Sequence, residues 1–297
     1  MQNQPAIQMV SLLEPLTSAL YRHVTFKGLT IAHSSPTGLQ RHEVPSGGDW
    51  ALTRHAAIFV EGPVESVAVV GCLFDQPGGN GIMLSNDVVN SEIVNSSFID
   101  VGDSAILSVG SSRLFDATAG GGARIPWNNL IAHNLIDTVG CYGKQTAGYF
   151  KALSRANVFR HNVLFNGPRS GVNFNDGGPG GEILEGNLVL NFVRESGDHG
   201  MFNSWDRQPY LYDGDVEGEV LLAPRPHQIH GNMIFNKNFA GDGATNSGYA
   251  FDYDDGSSQY NASGNVMVGA RRVPPQFPRT LNKLFECNDL KRETLEP

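Results

Sequence analysis

One pattern recurs along this chain and limits what it can fold into. A small or polar residue, most often Asn, precedes a short apolar run. It appears in GCLFD (71–75), SSFID (96–100), HNLID (133–137), HNVLF (161–165), GNLVL (186–190), GNMIF (231–235) and GNVMV (264–268). With Cys72, Ser97, Asn134, Asn162, Asn187, Asn232 and Asn265 as markers, the intervals are 25, 37, 28, 25, 45 and 33. The short intervals define a unit, and the long ones read as that unit with loops inserted. Each unit carries a second apolar patch after a turn: GIMLS (81–85), SAILS (104–108), SGVNFND (170–176), HGMFNSWD (199–206) and YAFDYDD (249–255). The runs are short, several alternate with period two, and no helical stretch separates them. A βαβ unit is thereby excluded.

The pattern predicts an all-β chain: a parallel β-helix solenoid with inserted loops, each coil burying its apolar residues against its neighbours. Asn recurring at one place predicts a ladder of stacked side chains inside a turn. At least seven coils run from about residue 58 to 268, and YRHVTFKGLTIAHS (21–34) is expected to add an earlier one. The terminal segments are atypical. Residues 1–20 are expected to be a capping segment, 21–270 the solenoid, and 271–297 an irregular, proline-broken tail.

Composition narrows the partners. Hydrophobic residues make up 40% and charged residues 17%, which suits a folded chain. The net charge is −9, the reverse of a nucleic-acid footprint, so no nucleic-acid partner is expected. Cys72, Cys141 and Cys287 lie too far apart for a metal motif. No signal peptide and no apolar run long enough to cross a bilayer is visible, so no membrane partner is expected and the compartment stays open. The oligomeric state is not legible.

Successive coils of a parallel solenoid lie about 4.7–4.9 Å apart, so aligned coils identify neighbours. Aligning GVNFNDG (171–177), MFNSWDR (201–207) and AFDYDDG (250–256) sets Asn173 beside Asn203 and Asp252, and Asn175 level with Asp254. The same register gathers Asp176, Asp206 and Asp255 into one column. Stacked carboxylates repel unless a proton, a cation or an Arg compensates. Such spacing suits glycosidic chemistry, in which one carboxyl protonates the leaving oxygen and a second acts across the bond. Asp255 and Asp206 are the expected catalytic pair, with Asp176 and Glu195 as substitutes. No cofactor is required by that chemistry, and Ca²⁺ is the cation the column could take. VRESGDHG (193–200) brings Arg194, Glu195, Asp198 and His199 to the edge of the same face. Aligned with GPRSG (167–171), it sets Asp198 beside Arg169, with Asp103 in the same column. Asn173, Asn175, Arg194, Asp198, His199, Trp205 and Asp254 are the expected sugar-binding residues, Trp205 as an exposed stacking surface. The loops 207–226 and 114–127 are expected to wall the groove.

EVPSGGDW (43–50), FNGPRSGVNFNDG (165–177), VRESGDHGMFNSWDRQPY (193–210) and YDDGSSQY (253–260) resemble signatures of right-handed parallel β-helix proteins of the pectate-lyase-like superfamily. The branch they look most like is that of β-xylosidase-like glycosidases. The resemblance covers about residues 20–270. It implies a carbohydrate-active protein with its site on a parallel-strand face, and a catalytic Asp from the DDGS segment, Asp255 or Asp254. One departure stands out. The resemblance implies a catalytic Glu on the following coil, where this chain reads GARRVPPQFPRT and offers no acid before Glu286. A glycoside hydrolase is the leading expectation. The alternatives are a Ca²⁺-dependent lyase on uronates and a non-catalytic carbohydrate-binding or structural solenoid.

Overall fold

A computed structural model describes residues 21–43, 50–111, 124–175, 180–196, 199–205, 211–213, 220–222, 226–236, 249–254, 257, 259–268, 284–286 and 289–291. Among these residues every long sheet is parallel, and each coil from Ala56 to Val268 gives one strand to each of three sheets, while the first and last coils give strands to two of them. The first sheet has seven strands: Ala56–Glu61, Asn80–Ser85, Ile106–Val109, Ala147–Ala152, Ser170–Asn175, Gly200–Trp205 and Tyr249–Tyr253. The second and third have nine each, running from Thr25–Lys27 to Leu284–Glu286 and from Thr30–Ala32 to Asp289–Lys291. Coil-by-coil order of this kind is a parallel β-helix, as the repeat predicts. Residues 21–34 supply its first coil, pairing with Ala68–Val70 and Leu73–Asp75. The segment expected to be an irregular tail holds Leu284–Glu286 and Asp289–Lys291, which pair parallel with the preceding coil. Residues 1–20 lie outside the described residues.

The Asn ladder is present, with one marker moved. Ser96, not Ser97, forms the rung. Ser97 starts a third-sheet strand opposite Leu73 and Leu135. The backbone N–H of Cys72 donates to Ser96 Oγ (3.1 Å) and that of Ser96 to Asn134 Oδ1 (2.9 Å). The seam continues from Asn134 to Asn162, Asn187, Asn232 and Asn265 at 2.9–3.0 Å. Buried backbone donors must find acceptors, and a rung side chain reaches the next coil without spending a strand hydrogen bond. A second seam runs five residues earlier, through Val67, Ser91, Asn129, Asn157, Glu182 and His227. The residue before each rung turns the corner with a left-handed backbone: Gly71, Asn95, His133, His161, Gly186, Gly231 and Gly264 in the first seam. That conformation favours Gly and Asn, and His takes it here as well.

The interior is filled from the three inward faces. In the first sheet Ile58, Ile82, Ile106, Tyr149, Val172, Phe202 and Phe251 form one inward column by register. All are buried in the main core cluster. Close packing leaves little room beside it. A Cβ on Gly171 would lie 2.5 Å from Val189 Cγ1 and 3.2 Å from Met201 O. Gly171→Ala is therefore expected to lower stability by about 1–3 kcal/mol through overpacking, read as a lower urea midpoint.

Candidate functional site

The outward face of the first sheet changes character halfway along. One outward column reads Phe59, Met83, Leu107, Phe150, Asn173, Asn203, Asp252. The first four residues are apolar and are covered by a strap from the chain's own N-terminal part. Trp50 and Leu52 pack there with Met83, Leu107, Val109 and Phe150. Arg54 fastens the strap, donating to Ser85 Oγ (2.6 Å) and Gly110 O (2.6 Å) and pairing with Glu43. Trp50 stacks on Phe150 at 5.0 Å, and the Arg169 guanidinium lies over Trp50 at 4.4 Å. The strap thus ends where the polar column begins.

Past that border the register is the one the coil alignment predicts. Asn173 pairs with Asn203, and Asn203 with Asp252. Asn203 Nδ2 lies 2.9 Å from Asn173 Oδ1, and Asn173 Nδ2 donates to Asn175 Oδ1 at 3.1 Å. With its amide turned over, Asn203 instead donates to Asp252 Oδ2 at 3.3 Å. Asn173, Asn175 and Asn203 are buried, while Asp252 and Asp254 are half-buried. The Asn175 Nδ2 donor is buried and finds no acceptor among the described residues. An unmet buried donor costs about 1–3 kcal/mol, so this amide is poised for a ligand oxygen.

The DDGS turn is tied to the preceding coil. Asp254 N donates to Ser204 O (2.8 Å), and buried Ser257 donates through Oγ to the same carbonyl (3.0 Å). Ser204 Oγ donates to Ser257 Oγ at 2.8 Å. The Ser of the motif is therefore an anchor that, with the Asp254 backbone, holds this turn to Ser204. Asp176, Asp206, Asp255 and Asp198 lie outside the described residues, and so does most of 207–226. Within that loop, Leu211–Asp213 pairs antiparallel with Val220–Leu222. Of 114–127, the structure describes residues 124–127.

Other expected site residues take different places. Trp205 faces outward by register beside Asn175 but is only 7% exposed, so it is not the open stacking surface expected. Whether a side chain is covered depends on tertiary neighbours, which local sequence does not reveal. Glu195 is exposed at the loop edge and accepts from Lys144 Nζ at 3.0 Å. Arg194 beside it is exposed. His199 hydrogen-bonds Ser196 through Nδ1. Asp103 does not join Arg169. Its carboxylate accepts from Thr37 Oγ1 at 2.9 Å, and burial pushes its pKa up against that hydrogen bond.

Sequence reasoning missed Trp50 and Arg169 as a wall, because their contact joins segments more than a hundred residues apart. Among the described residues no cluster of three His, Cys, Asp or Glu could hold a metal ion, and no helix is long and apolar enough to cross a membrane.

No family model matches the chain, and no curated protein matches it. Solved structures do. The A-module of Azotobacter vinelandii mannuronan C-5 epimerase AlgE4 is 10% identical, with a TM-score of 0.43, over 90% of this chain. The match spans 64% of that module. An alginate lyase from Paenibacillus sp. str. FPU-7 is 16% identical with a TM-score of 0.42, over 89% of each chain. The Streptococcus pneumoniae surface protein and adhesin PfbA is 12% identical with a TM-score of 0.32, over 91% of this chain and 89% of its own. These scores are low, and no residue role is carried over. The fold assignment rests on the chain's own sheets.

Proposed function

We propose that this protein is carbohydrate-active and takes a polysaccharide on the outward face of the first sheet, across Ser170–Asn175, Gly200–Trp205 and Tyr249–Tyr253. The observation that carries this reading is the polar half of one column, Asn173, Asn203 and Asp252, with the unmet Asn175 donor beside it. Each carboxamide offers both a donor and an acceptor, which matches a sugar hydroxyl. Asp252 and Asp254 add carboxylates on the same side of one strand.

In the hydrolytic form of the proposal, Asp255 and Asp206 are the acid and its partner, with Asp176 as substitute and Asn173, Asn175 and Asp254 holding the sugar. Glu195 serves less well as a substitute, because Lys144 already holds its carboxylate. A second form is elimination at a uronate, with Ca²⁺ as the cation it would call on. The carboxamide row and the Arg169 guanidinium at the border favour it, since the amides can donate hydrogen bonds to a sugar carboxylate and a guanidinium can pair with its charge.

A panel of neutral and uronic polysaccharides separates the forms. Hydrolysis yields reducing ends alone, and elimination adds an unsaturated product that absorbs in the ultraviolet. Asp255→Asn is expected to lower turnover by about 10²–10⁴-fold, the usual contribution of a positioned acid or base. Unchanged turnover in that variant removes Asp255 from the chemistry. Binding without turnover in the wild type would leave a carbohydrate-binding solenoid.

A further inference from the structure

The two interior seams differ in chemistry. The seam through Asn134 to Asn265 is built from amides throughout. The other passes through Ser91, Asn129 and Asn157 and then changes to Glu182 and His227. These two, with Lys151, are at most 1% exposed. Glu182 Oε1 accepts from Ser154 Oγ (2.6 Å) and Asn157 Nδ2 (3.1 Å). His227 Nδ1 accepts from the backbone N–H of Glu182 at 3.2 Å. Lys151 Nζ lies 5.4 Å from the centre of the Phe174 ring, and Phe174 packs 5.3 Å from the His227 ring. Tyr260 stacks on His227 at 4.8 Å. Among the described residues, the charged and titratable groups around this rung are Lys151, Glu182 and Tyr260, with Tyr149 close to Glu182 and Tyr253 packed on Tyr260. Burial pushes the Tyr149 and Tyr253 phenols up, so both stay neutral.

We propose that the rung between Glu182 and His227 is an acid-sensitive seam: protonation of the imidazole opens the solenoid there and loosens the coils that follow. The reason is geometric. An imidazolium carries a proton on both nitrogens and accepts nothing, so Nδ1 cannot stay bonded to the Glu182 N–H. Protonation also sets a second cation beside Lys151. Burial, and then Lys151, hold the closed-state imidazole well below its usual 6.5. An opened seam exposes it to water, so each pH unit below 6.5 favours the open form tenfold. Glu182 acts the other way. Burial pushes its carboxyl up to about 6 from 4.5, against the opposing pull of Lys151. The closed form therefore binds that proton first, and between those values the two effects offset. Net opening sets in below about 4.5 in the wild type, and from about 6.5 downward once Glu182 is made non-titrating.

Hydrogen exchange on the full chain, corrected for the intrinsic pH dependence of exchange, tests this. Protection of residues 227–236 and 260–268 is expected to fall about tenfold per pH unit below 4.5, while residues 129–139 keep theirs. His227→Asn installs the residue the seam already uses at Asn129 and Asn157, and is expected to abolish the acid response. Glu182→Gln is expected to move its onset towards 6.5. If both halves of the wild type lose protection together, or neither does, the seam is not the weak point. An unaltered acid response in His227→Asn would equally overturn the proposal.

Discussion

Lys151→Met is expected to destabilise the protein by about 1–2 kcal/mol at pH 7. Methionine fills much the same volume, so the loss is electrostatic: a buried carboxylate without its cation. Glu182 then escapes by taking a proton. Its carboxyl is already raised to about 6 in the intact protein, so at pH 7 that proton costs about 1.4 kcal/mol, one pH unit's worth. The penalty should therefore shrink as the pH falls through about 6, where the intact protein takes up the same proton. The double variant Lys151→Met/Glu182→Gln removes both charges while keeping an acceptor for Ser154 and Asn157. It is expected to recover most of the stability, since buried opposite charges are often no better than neutral groups of similar shape. Denaturant melts of the two single variants and the double, at pH 7 and 5, provide the cycle. A Lys151→Met loss that is independent of pH would show that packing, not charge, holds Lys151 in place.

Asn187→Ala should be at least as costly. Asn187 Oδ1 accepts from both the backbone N–H and the Nδ2 of Asn162 (2.9 and 3.1 Å). Its Nδ2 donates to Phe159 O (3.0 Å) and Asn232 Oδ1 (2.9 Å). Truncation leaves the buried Asn162 N–H and the Phe159 carbonyl without these partners. At about 1–3 kcal/mol for each such group, a loss of about 3–5 kcal/mol is expected. A solenoid transmits that loss to its neighbours alone. Exchange protection should therefore fall most around 159–165 and 229–235 and least before residue 100. A loss below 1 kcal/mol would mean that water or a relaxed turn replaces the rung.

How far the sequence reveals this molecule depends on how narrowly each position restricts its residue. The rungs from Asn134 to Asn265 are legible because the side chain must accept from one coil and donate to another, and Asn meets that demand at this length. The partner seam is hidden for the same reason turned round. Ser91, Glu182 and His227 share a geometry but no chemical class, so no single letter recurs. The outer column is legible where NFN and DYD alternate, since period two assigns the faces directly. The burial of Trp205 and the arrival of Trp50 over Phe150 are not, because both are set by segments remote in sequence. Ser96 and Ser97 differ by one residue, and that one place separates an interior rung from the start of an outward-facing strand position.

The rung spacings bear on how such a molecule can change over generations. Within the first six rungs of each seam the separations are 24, 38, 28, 25 and 45 residues, identical in both. The stretch joining the seams therefore holds a fixed length of five residues, and all growth falls elsewhere in the coil. The insertions before Asn129 and before His227 both lie in the arc that carries the first sheet and its flanking loops. Mutation can lengthen that arc while the frame behind it keeps its dimensions. In this architecture new recognition arises by adding chain at one rim, and heritable variation in length is confined to the side that meets the outside world.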